Sequence, residues 1–230
     1  MIKYYEGTVF NTGAKAIVNT INCEGAMGAG LALEFMLRYP EMYEDYKVKC
    51  DKKLLKPGIV DYYVEDDGCT IINFPTKWLF KYPSRIEWIE QGLQYFVSTY
   101  KEHNIKAVAF PKLGASNGGL DWDEVRSVME KYLSNVDADV YICTDTLRQA
   151  EGIEKQMLDI FNSMTLDQIG EIVRLTSKQR DNLEIRRPYS RFWLINKTPS
   201  IGAKTYASVF RHCYSKALNN ESMPEQMTLF

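Results

Sequence analysis

The stretch Asn19-Thr-Ile-Asn-Cys-Glu-Gly-Ala-Met-Gly-Ala-Gly-Leu-Ala-Leu33 decides the fold of this chain. The apolar run at 16–18 precedes it and an amphipathic helical pattern follows it, so its glycines stand between a strand and a helix. Glycines at Gly25, Gly28 and Gly30 let backbone N–H groups crowd together without Cβ clashes. The helix start adds unpaired N–H groups and the positive end of its dipole. The segment predicts a cradle for phosphates, and a tight turn without a ligand is the alternative.

This glycine stretch matches neither of the two common nucleotide-binding motifs. Its spacing is not G-x-G-x-x-G, and no Lys-Ser or Lys-Thr pair follows it as in a P-loop. Neither common nucleotide fingerprint therefore applies, and both the phosphate cradle and the ligand-free turn stay open.

Two further polar segments also follow predicted strands. One is the small-residue loop 112–119, where Ser116 and Asn117 are hydrogen-bond donors among Gly114, Gly118 and Gly119. The other is Asn73-Phe-Pro-Thr-Lys77, which ends an apolar run with a lone lysine. Because ligands of parallel sheets bind beyond the carboxyl ends of the strands, we expect all three loops to form one site.

Three polar side chains of these segments are catalytic candidates, and each has a structural alternative. The Asn22 amide could orient a sugar hydroxyl or a phosphate, or it could stabilise the turn. Lys77 could hold an anion, attack a sugar carbon from a dry pocket, or lie on the surface. Asp121 could accept a proton or hold a water, or it could cap the next helix.

Short apolar runs alternate with helical patterns over the first 147 residues, which predicts an α/β fold with a mostly parallel sheet between helical layers. Strands are predicted at 2–5, 16–19, 58–64, 70–74, 107–111 and 140–144. Helices are predicted at 30–38, 40–50, 84–103, 121–133 and 147–163. Ser84 with Glu87 and Thr165 with Gln168 have the spacing of capping boxes, and Asp121 with Glu124 imitates one.

Composition excludes several function classes. The 230 residues are 45% hydrophobic and 25% charged, as in ordinary soluble proteins, and no apolar run is long enough to cross a membrane. The N-terminus lacks the pattern of a signal peptide, and five scattered cysteines are typical of reduced thiols, so we expect a cytoplasmic protein. Only two histidines occur, far apart, so neither a metal site nor a catalytic triad is expected, and no cofactor.

Charge divides the chain unevenly. Residues 165–217 carry ten Lys and Arg against four Asp and Glu, whereas the rest of the chain is acidic in balance. We predict a first domain at 1–163, a basic helical module at 164–218 and a flexible tail at 219–230. The basic module indicates either a polyanionic partner or a solvated basic face.

The three motifs together resemble macrodomains, most nearly those of the DarG type. The matching residues are Val18-Asn-Thr-x-Asn22-x-x-Gly25-x-Met27-Gly28-x-Gly30-Leu-Ala-Leu, then Asn73-Phe-Pro-Thr-Lys77, then Pro111-x-Leu-Gly114 with Asn117-Gly-Gly-Leu-Asp-Trp122. DarG-type enzymes strip ADP-ribose from thymidine bases of DNA and oppose the DarT toxin. The resemblance covers about residues 1–147 and implies a three-layer α/β/α fold with a mixed sheet.

The resemblance also implies site roles. The two glycine loops would bind the diphosphate, Asn22 would touch the distal ribose and Lys77 would be the essential lysine; Thr8 and Met27 would join the ligand-binding residues. The terminal ADP-ribose protein glycohydrolases carry an aspartate in the second loop, and it falls on Gly118 here, which favours the DNA-type enzyme. Thr8 replaces the aspartate with which many macrodomains read adenine. The alternatives are a non-catalytic ADP-ribose reader, an interaction or antitoxin protein, and a hydrolase of protein-linked or O-acyl ADP-ribose.

The last residues, Gln226-Met-Thr-Leu-Phe230, resemble the Q-x-x-L-F peptide that docks on bacterial sliding clamps. Leu229 and Phe230 would fill an apolar pocket while Gln226 forms a hydrogen bond beside it. A sliding clamp and a DarT-like toxin are thus expected partners besides ADP-ribosylated DNA. An apolar chain end that packs on itself is the alternative.

Overall fold

The computed structural model of the chain describes residues 1–221, which form two compact units. The first is Met1–Thr146 and the second begins at Leu147. Within the described residues, no helix is both long and apolar enough to span a membrane.

A six-stranded sheet forms the centre of the first unit. Its spatial order is β1-β6-β5-β2-β4-β3, and all neighbours pair in parallel except β3, which runs antiparallel to β4. The strands are β1 (Ile2–Tyr5), β2 (Ala16–Ile21), β3 (Asp61–Val64), β4 (Thr70–Pro75), β5 (Ala107–Pro111) and β6 (Asp139–Cys143). The mixed, mostly parallel sheet confirms the predicted fold class.

Helices cover both faces of this sheet because the central strands are apolar on both sides. Val18 and Ile72 belong to the core beneath one pair of helices, whereas their neighbours Ile17 and Ile71 belong to the core on the other face. The helices are α1 (Gly30–Arg38), α2 (Pro40–Asp51), α3 (Ile86–Thr99) and α4 (Trp122–Leu133). The alternation of strand side chains thus produces the three-layer arrangement.

One predicted cap is wrong. Helix α3 begins at Ile86, its N-cap is Arg85, and no side chain there accepts a capping hydrogen bond. The Ser84 hydroxyl is instead buried beside the 112–119 loop, and its backbone N–H donates to Gly118 O at 2.9 Å. Ser84 belongs to the site loops rather than to the helix.

The second unit is helical. Its helices are α5 (Gly152–Ser163), α6 (Leu166–Ile172), α7 (Ser177–Arg186) and α8 (Ala203–Glu221), with a 3-10 turn at Phe192–Lys197. The capping box of Thr165 and Gln168 is confirmed. Two helices follow this cap, because Thr176 and Gln179 form a second capping box that starts α7.

The core of the second unit is aromatic, which explains why α5 belongs to it. The ring of Phe192 contacts the rings of Phe161 and Phe210 at centroid distances of 6.1 and 5.4 Å. Beside them the buried Arg191 guanidinium pairs with Glu154 of α5 at 3.0 Å. We expected residues 147–163 in the first domain, whereas these contacts join α5 to the helices that follow it.

Candidate ADP-ribose site

A cavity of about 640 Å³ opens at the carboxyl edge of the sheet in the first unit. Segments that follow β2, β4, β5 and β6 line it, and these four strands are mutually parallel neighbours in the sheet. The polar loops therefore converge because the sheet topology brings four strand ends to one edge.

Asn22 fixes the shape of the loop after β2. Its Oδ1 accepts hydrogen bonds from the backbone N–H groups of Glu24 (2.9 Å) and Ala26 (3.3 Å), and its Nδ2 donates to Ala26 O at 2.6 Å. The buried Tyr46 hydroxyl lies 2.9 Å from both Asn22 oxygens. The amide thus stabilises the turn, as the structural alternative predicted, and only its second Nδ2–H is left for a ligand at the cavity wall.

Lys77 lies at the cavity wall just after β4 and is only 8% exposed. Its Nζ donates to the carbonyl oxygens of Asn117 at 2.8 Å and Phe80 at 3.5 Å. Burial lowers the pKa of this amine below the ordinary value of lysine. The surface alternative for Lys77 is wrong: the side chain is a desolvated amine directed at a cavity.

The loop after β5 forms the facing wall. Its lining residues include Gly114, Ser116, Asn117 and Gly118. A Cβ atom on Gly118 would lie 2.2 Å from Gly114 O, so this position admits no side chain without movement of the loop. The aspartate of the protein-type glycohydrolases cannot be accommodated in this loop conformation.

The two glycine loops approach each other closely. A Cβ atom on Gly30, which has a φ of +57°, would lie 2.7 Å from Asn117 Nδ2. The two loops are therefore close enough to bind one elongated anion together, and the described part of the lining contains two cations, Lys77 and Lys112, against one acid, Asp145.

Comparison with known proteins places this geometry in a family. The family model of the Macro domain matches residues 18–129. The solved macrodomain of Mycobacterium tuberculosis DarG is 39% identical, and the match covers 62% of this chain and 97% of that one, with a TM-score of 0.60. The chain belongs to the macrodomain family.

Two other similarities bear on function. A curated protein of Mycobacterium tuberculosis named DNA ADP-ribosyl glycohydrolase is 40% identical over 160 residues, which is 67% of this chain and 46% of that protein. The solved structure of Thermosipho africanus DarTG in complex with ADP-ribose is 29% identical, with a TM-score of 0.57 over 67% of this chain and 44% of that one. The chain therefore spans less than half the length of the curated relative it matches.

The macrodomain cavity includes most of the predicted site residues but not all. Those that line it are Thr8, Asn22, Gly28, Lys77, Gly114, Ser116, Asn117 and Gly118. Gly25, Gly30 and Gly119 have positive φ angles and shape the loops without lining the cavity.

Met27 and Asp121 do not line the macrodomain cavity. Met27 is 2% exposed and packs in the core, because the turn held by Asn22 directs it inward among the apolar side chains next to α1. Asp121 caps α4 by accepting from Glu124 N at 3.0 Å, and it does not line the cavity. The structure thus favours a capping role for Asp121 over the catalytic one.

Sequence reasoning missed lining residues that share the predicted pattern. Phe80 lies after β4, and Thr144 and Asp145 follow β6. Asp145 N donates to Gly7 O at 3.2 Å, which sets this aspartate next to Thr8 at the same cavity. The rule that polar residues after parallel strands form the site would have found Thr144 and Asp145, but no glycine motif drew attention to them.

Proposed function

We propose that this macrodomain is an ADP-ribosyl glycohydrolase that removes ADP-ribose from thymidine bases of DNA. The observation that carries the proposal is Lys77, a buried amine with a lowered pKa on the wall of the cavity between the two glycine loops. The similarity to proteins named DNA ADP-ribosyl glycohydrolase and to a structure in complex with ADP-ribose supports this substrate.

The diphosphate of ADP-ribose would lie between the loops, on backbone N–H groups near Gly28 and Ser116. That position leaves the distal ribose beside Lys77 and the second Nδ2–H of Asn22. At the other part of the cavity Thr8 and Asp145 supply polar groups for the adenosine moiety. Because the loops hold the sugar next to the amine, the reaction begins from a positioned complex.

The reaction breaks the bond between the anomeric carbon and the ring nitrogen of the base. In one route neutral Lys77 attacks that carbon, and the electron pair of the broken bond goes to the base, which takes up a proton. The sugar remains on Nζ, opens to an imine, and water hydrolyses it to ADP-ribose and the amine. In the other route Lys77 stays protonated and stabilises the departing base while water attacks.

The test is incubation of the chain with a single-stranded oligonucleotide modified by a DarT-type transferase, with free ADP-ribose measured by mass spectrometry. We expect release of ADP-ribose and of unmodified oligonucleotide. An ADP-ribosylated glutamate peptide and O-acetyl-ADP-ribose serve as comparison substrates. Binding of ADP-ribose without release from any substrate would identify a reader instead, and preferential release from the peptide would identify a protein-type hydrolase.

Cyanoborohydride separates the two routes. If the amine attacks, reduction during turnover leaves a stable sugar adduct on the peptide that contains Lys77 and not on the peptide that contains Lys112, the other lining lysine. Absence of an adduct at full turnover would favour the route through water.

The second unit would contact DNA phosphates. Of its ten cationic residues at 165–217, Arg187 donates to the carbonyl oxygens of Phe161 and Met164, and Arg191 is buried with Glu154. Seven others are exposed: Arg174, Lys178, Arg186, Lys197, Lys204, Arg211 and Lys216. Charge reversal at Lys204 and Arg211 should weaken binding to any DNA equally and reduce its salt dependence; unchanged binding would leave only a solvated basic face.

Two protein partners complete the proposal, which places the chain in the cytoplasm. A DarT-like toxin is supported by the similarity to DarTG, and co-purification with a DarT-type protein tests it. The clamp peptide, with Gln226, Leu229 and Phe230, lies outside the described residues. Deletion of residues 226–230 should abolish capture by immobilised sliding clamp, and undiminished capture would remove this partner.

A further inference from the structure

Exposed aromatic side chains concentrate in the loop Trp78-Leu-Phe-Lys-Tyr-Pro-Ser-Arg85, here called the 78–85 loop. Trp78, Phe80 and Tyr82 are 49%, 60% and 55% exposed. Large aromatic side chains are rarely left in water at alternate positions of one loop unless a partner covers them. Because Phe80 also lines the cavity, this aromatic surface is continuous with the site.

The backbone of the 78–85 loop is anchored while its rings are exposed. Trp78 O accepts from Cys23 N at 2.9 Å, Phe80 N donates to the Glu24 carboxylate at 2.9 Å, and Ser84 N donates to Gly118 O at 2.9 Å. The loop is therefore bonded to both glycine loops. The aromatic side chains are therefore exposed on a loop whose backbone is held by hydrogen bonds at three positions.

The charge of this segment suits a polyanion. Residues 76–86 contain Lys77, Lys81 and Arg85 and no acidic residue. Lys81 Nζ lies 5.2 Å from the centroid of the Tyr82 ring, and the Arg85 guanidinium lies 5.0 Å from that of Trp88. Cations interleaved with exposed rings form the surface on which unpaired bases stack while their phosphates contact Lys and Arg.

We infer that the 78–85 loop binds the unpaired bases next to the modified nucleotide. This inference rests on the proposed function and names the residues that hold the DNA outside the cavity. Trp78 and Tyr82 provide stacking faces outside the cavity, and Lys81 and Arg85 contact the phosphates between those bases. Bases paired in a duplex do not offer their faces to side chains, so a duplex substrate makes fewer of these contacts.

The experiment compares the full chain with the Trp78→Ala/Tyr82→Ala double variant on two substrates. One is an ADP-ribosylated 15-mer and the other is ADP-ribosylated thymidine without flanking nucleotides. We expect KM for the 15-mer to rise about tenfold or more, as base stacking on aromatic side chains predicts, while kcat is retained. KM for the modified nucleoside should stay at the wild-type value.

Tyr4→Ala is the matched control, because Tyr4 is 50% exposed on β1 and lies outside the 78–85 loop. It should leave both KM values unchanged. ADP-ribose binding by calorimetry verifies that each variant folds. An unchanged KM of the double variant for the 15-mer would overturn the inference, and so would an equal rise for the nucleoside, since that would indicate damage to the cavity.

Photocrosslinking keeps the inference testable if the chain releases no ADP-ribose at all. An unmodified 15-mer with 5-iododeoxyuridine should crosslink to the peptide that contains Trp78, Phe80 and Tyr82. Crosslinks confined to the second unit, where Trp193 is the exposed tryptophan, would overturn the inference. Crosslinking to the 78–85 loop without turnover would contradict the proposed activity but would still support DNA binding by this loop.

Discussion

Lys77 of the first unit and Arg191 of the second are both buried cations, but their surroundings differ. The Arg191 guanidinium donates through Nε to both Glu154 carboxylate oxygens at 3.0 and 3.1 Å and through Nη1 to Leu147 O at 2.8 Å. Lys77 donates to two carbonyl oxygens and lines a cavity. A buried cation with a carboxylate partner is satisfied within the fold. Lys77 pairs with no carboxylate among residues 1–221, so its charge is compensated there by carbonyl dipoles and is available to an anionic ligand.

The largest expected effect is on turnover after substitution of Lys77. Lys77→Ala should lower ADP-ribose release about 10³-fold or more, because it removes the group that we propose to act at the reacting carbon. Affinity for ADP-ribose should change by less than about tenfold, since in the proposed complex backbone N–H groups hold the diphosphate. Single-turnover assays and calorimetry measure the two effects separately.

Lys77→Arg sharpens the first prediction. A guanidinium keeps the positive charge but does not lose its proton, so it cannot attack carbon. We expect this variant to be as inactive as Lys77→Ala if the amine is the nucleophile. Substantial activity would mean that charge alone is required, and normal release by Lys77→Ala would refute the catalytic role.

The next effect is on stability of the second unit. Arg191→Ala leaves the Glu154 carboxylate buried without its partner, which typically costs about 3–5 kcal/mol. Hydrogen exchange of amides in α5 and α8 should accelerate, while binding of ADP-ribose by the macrodomain persists. Lys155→Ala is the matched control: its pair with Asp159 is exposed and should contribute less than about 1 kcal/mol.

A smaller effect is expected in the second glycine loop. Gly118→Ala places a methyl group 2.2 Å from Gly114 O and 2.4 Å from Ser84 Oγ, so the loop must move. Stability should fall by about 1–3 kcal/mol, as for other overpacked positions, and affinity for ADP-ribose should fall with it. Gly28→Ala provides the stability control because a Cβ there meets no atom within 4 Å. Equal stability of the two variants would contradict the close packing of the loop.

The smallest predicted change concerns pH. Because burial disfavours the charged form, the pKa of Lys77 lies below 10.5 and the amine becomes neutral at lower pH than a surface lysine. If neutral Lys77 attacks, single-turnover rates rise with pH through that pKa and then level off. If the ammonium assists the departing base, rates fall over the same range. Single-turnover measurements across the range distinguish the two.

Much of the fold follows from local pattern. The apolar runs that contain Val18 and Ile72 form strands that are buried on both faces of the sheet. Such strands need helices on both sides, so the alternation of strands and helices along the chain was enough to predict the three layers. The convergence of the loops after β2, β4 and β5 followed from parallel pairing alone. The capping role of Asp121 was also predictable from the sequence. Aspartate is a preferred N-cap residue, and Asp121 directly precedes the helical pattern of α4.

Other features depend on long-range contacts that spacing does not encode. The Asn22 amide is occupied by Ala26 and by Tyr46, which lies 24 residues away in α2. Ser84 has the spacing of a cap, yet packing against Gly114 and Gly118 draws it to the site loops. The division between the units depends on the hydrogen bond from Arg191 to Glu154 of α5. These residues are 37 positions apart, so the sequence of α5 alone does not indicate the contact.

The hydrogen bond from Lys77 Nζ to Asn117 O has a consequence for inhibitors. The amine that we propose to act on the sugar is hydrogen-bonded to the loop that would receive the pyrophosphate. A compound that engages this amine must therefore replace its hydrogen bond to Asn117 O as well as fill the cavity. Fragments that carry only a pentose have no phosphate groups with which to bind that loop. Mimics that retain both phosphorus atoms should consequently gain affinity out of proportion to their size.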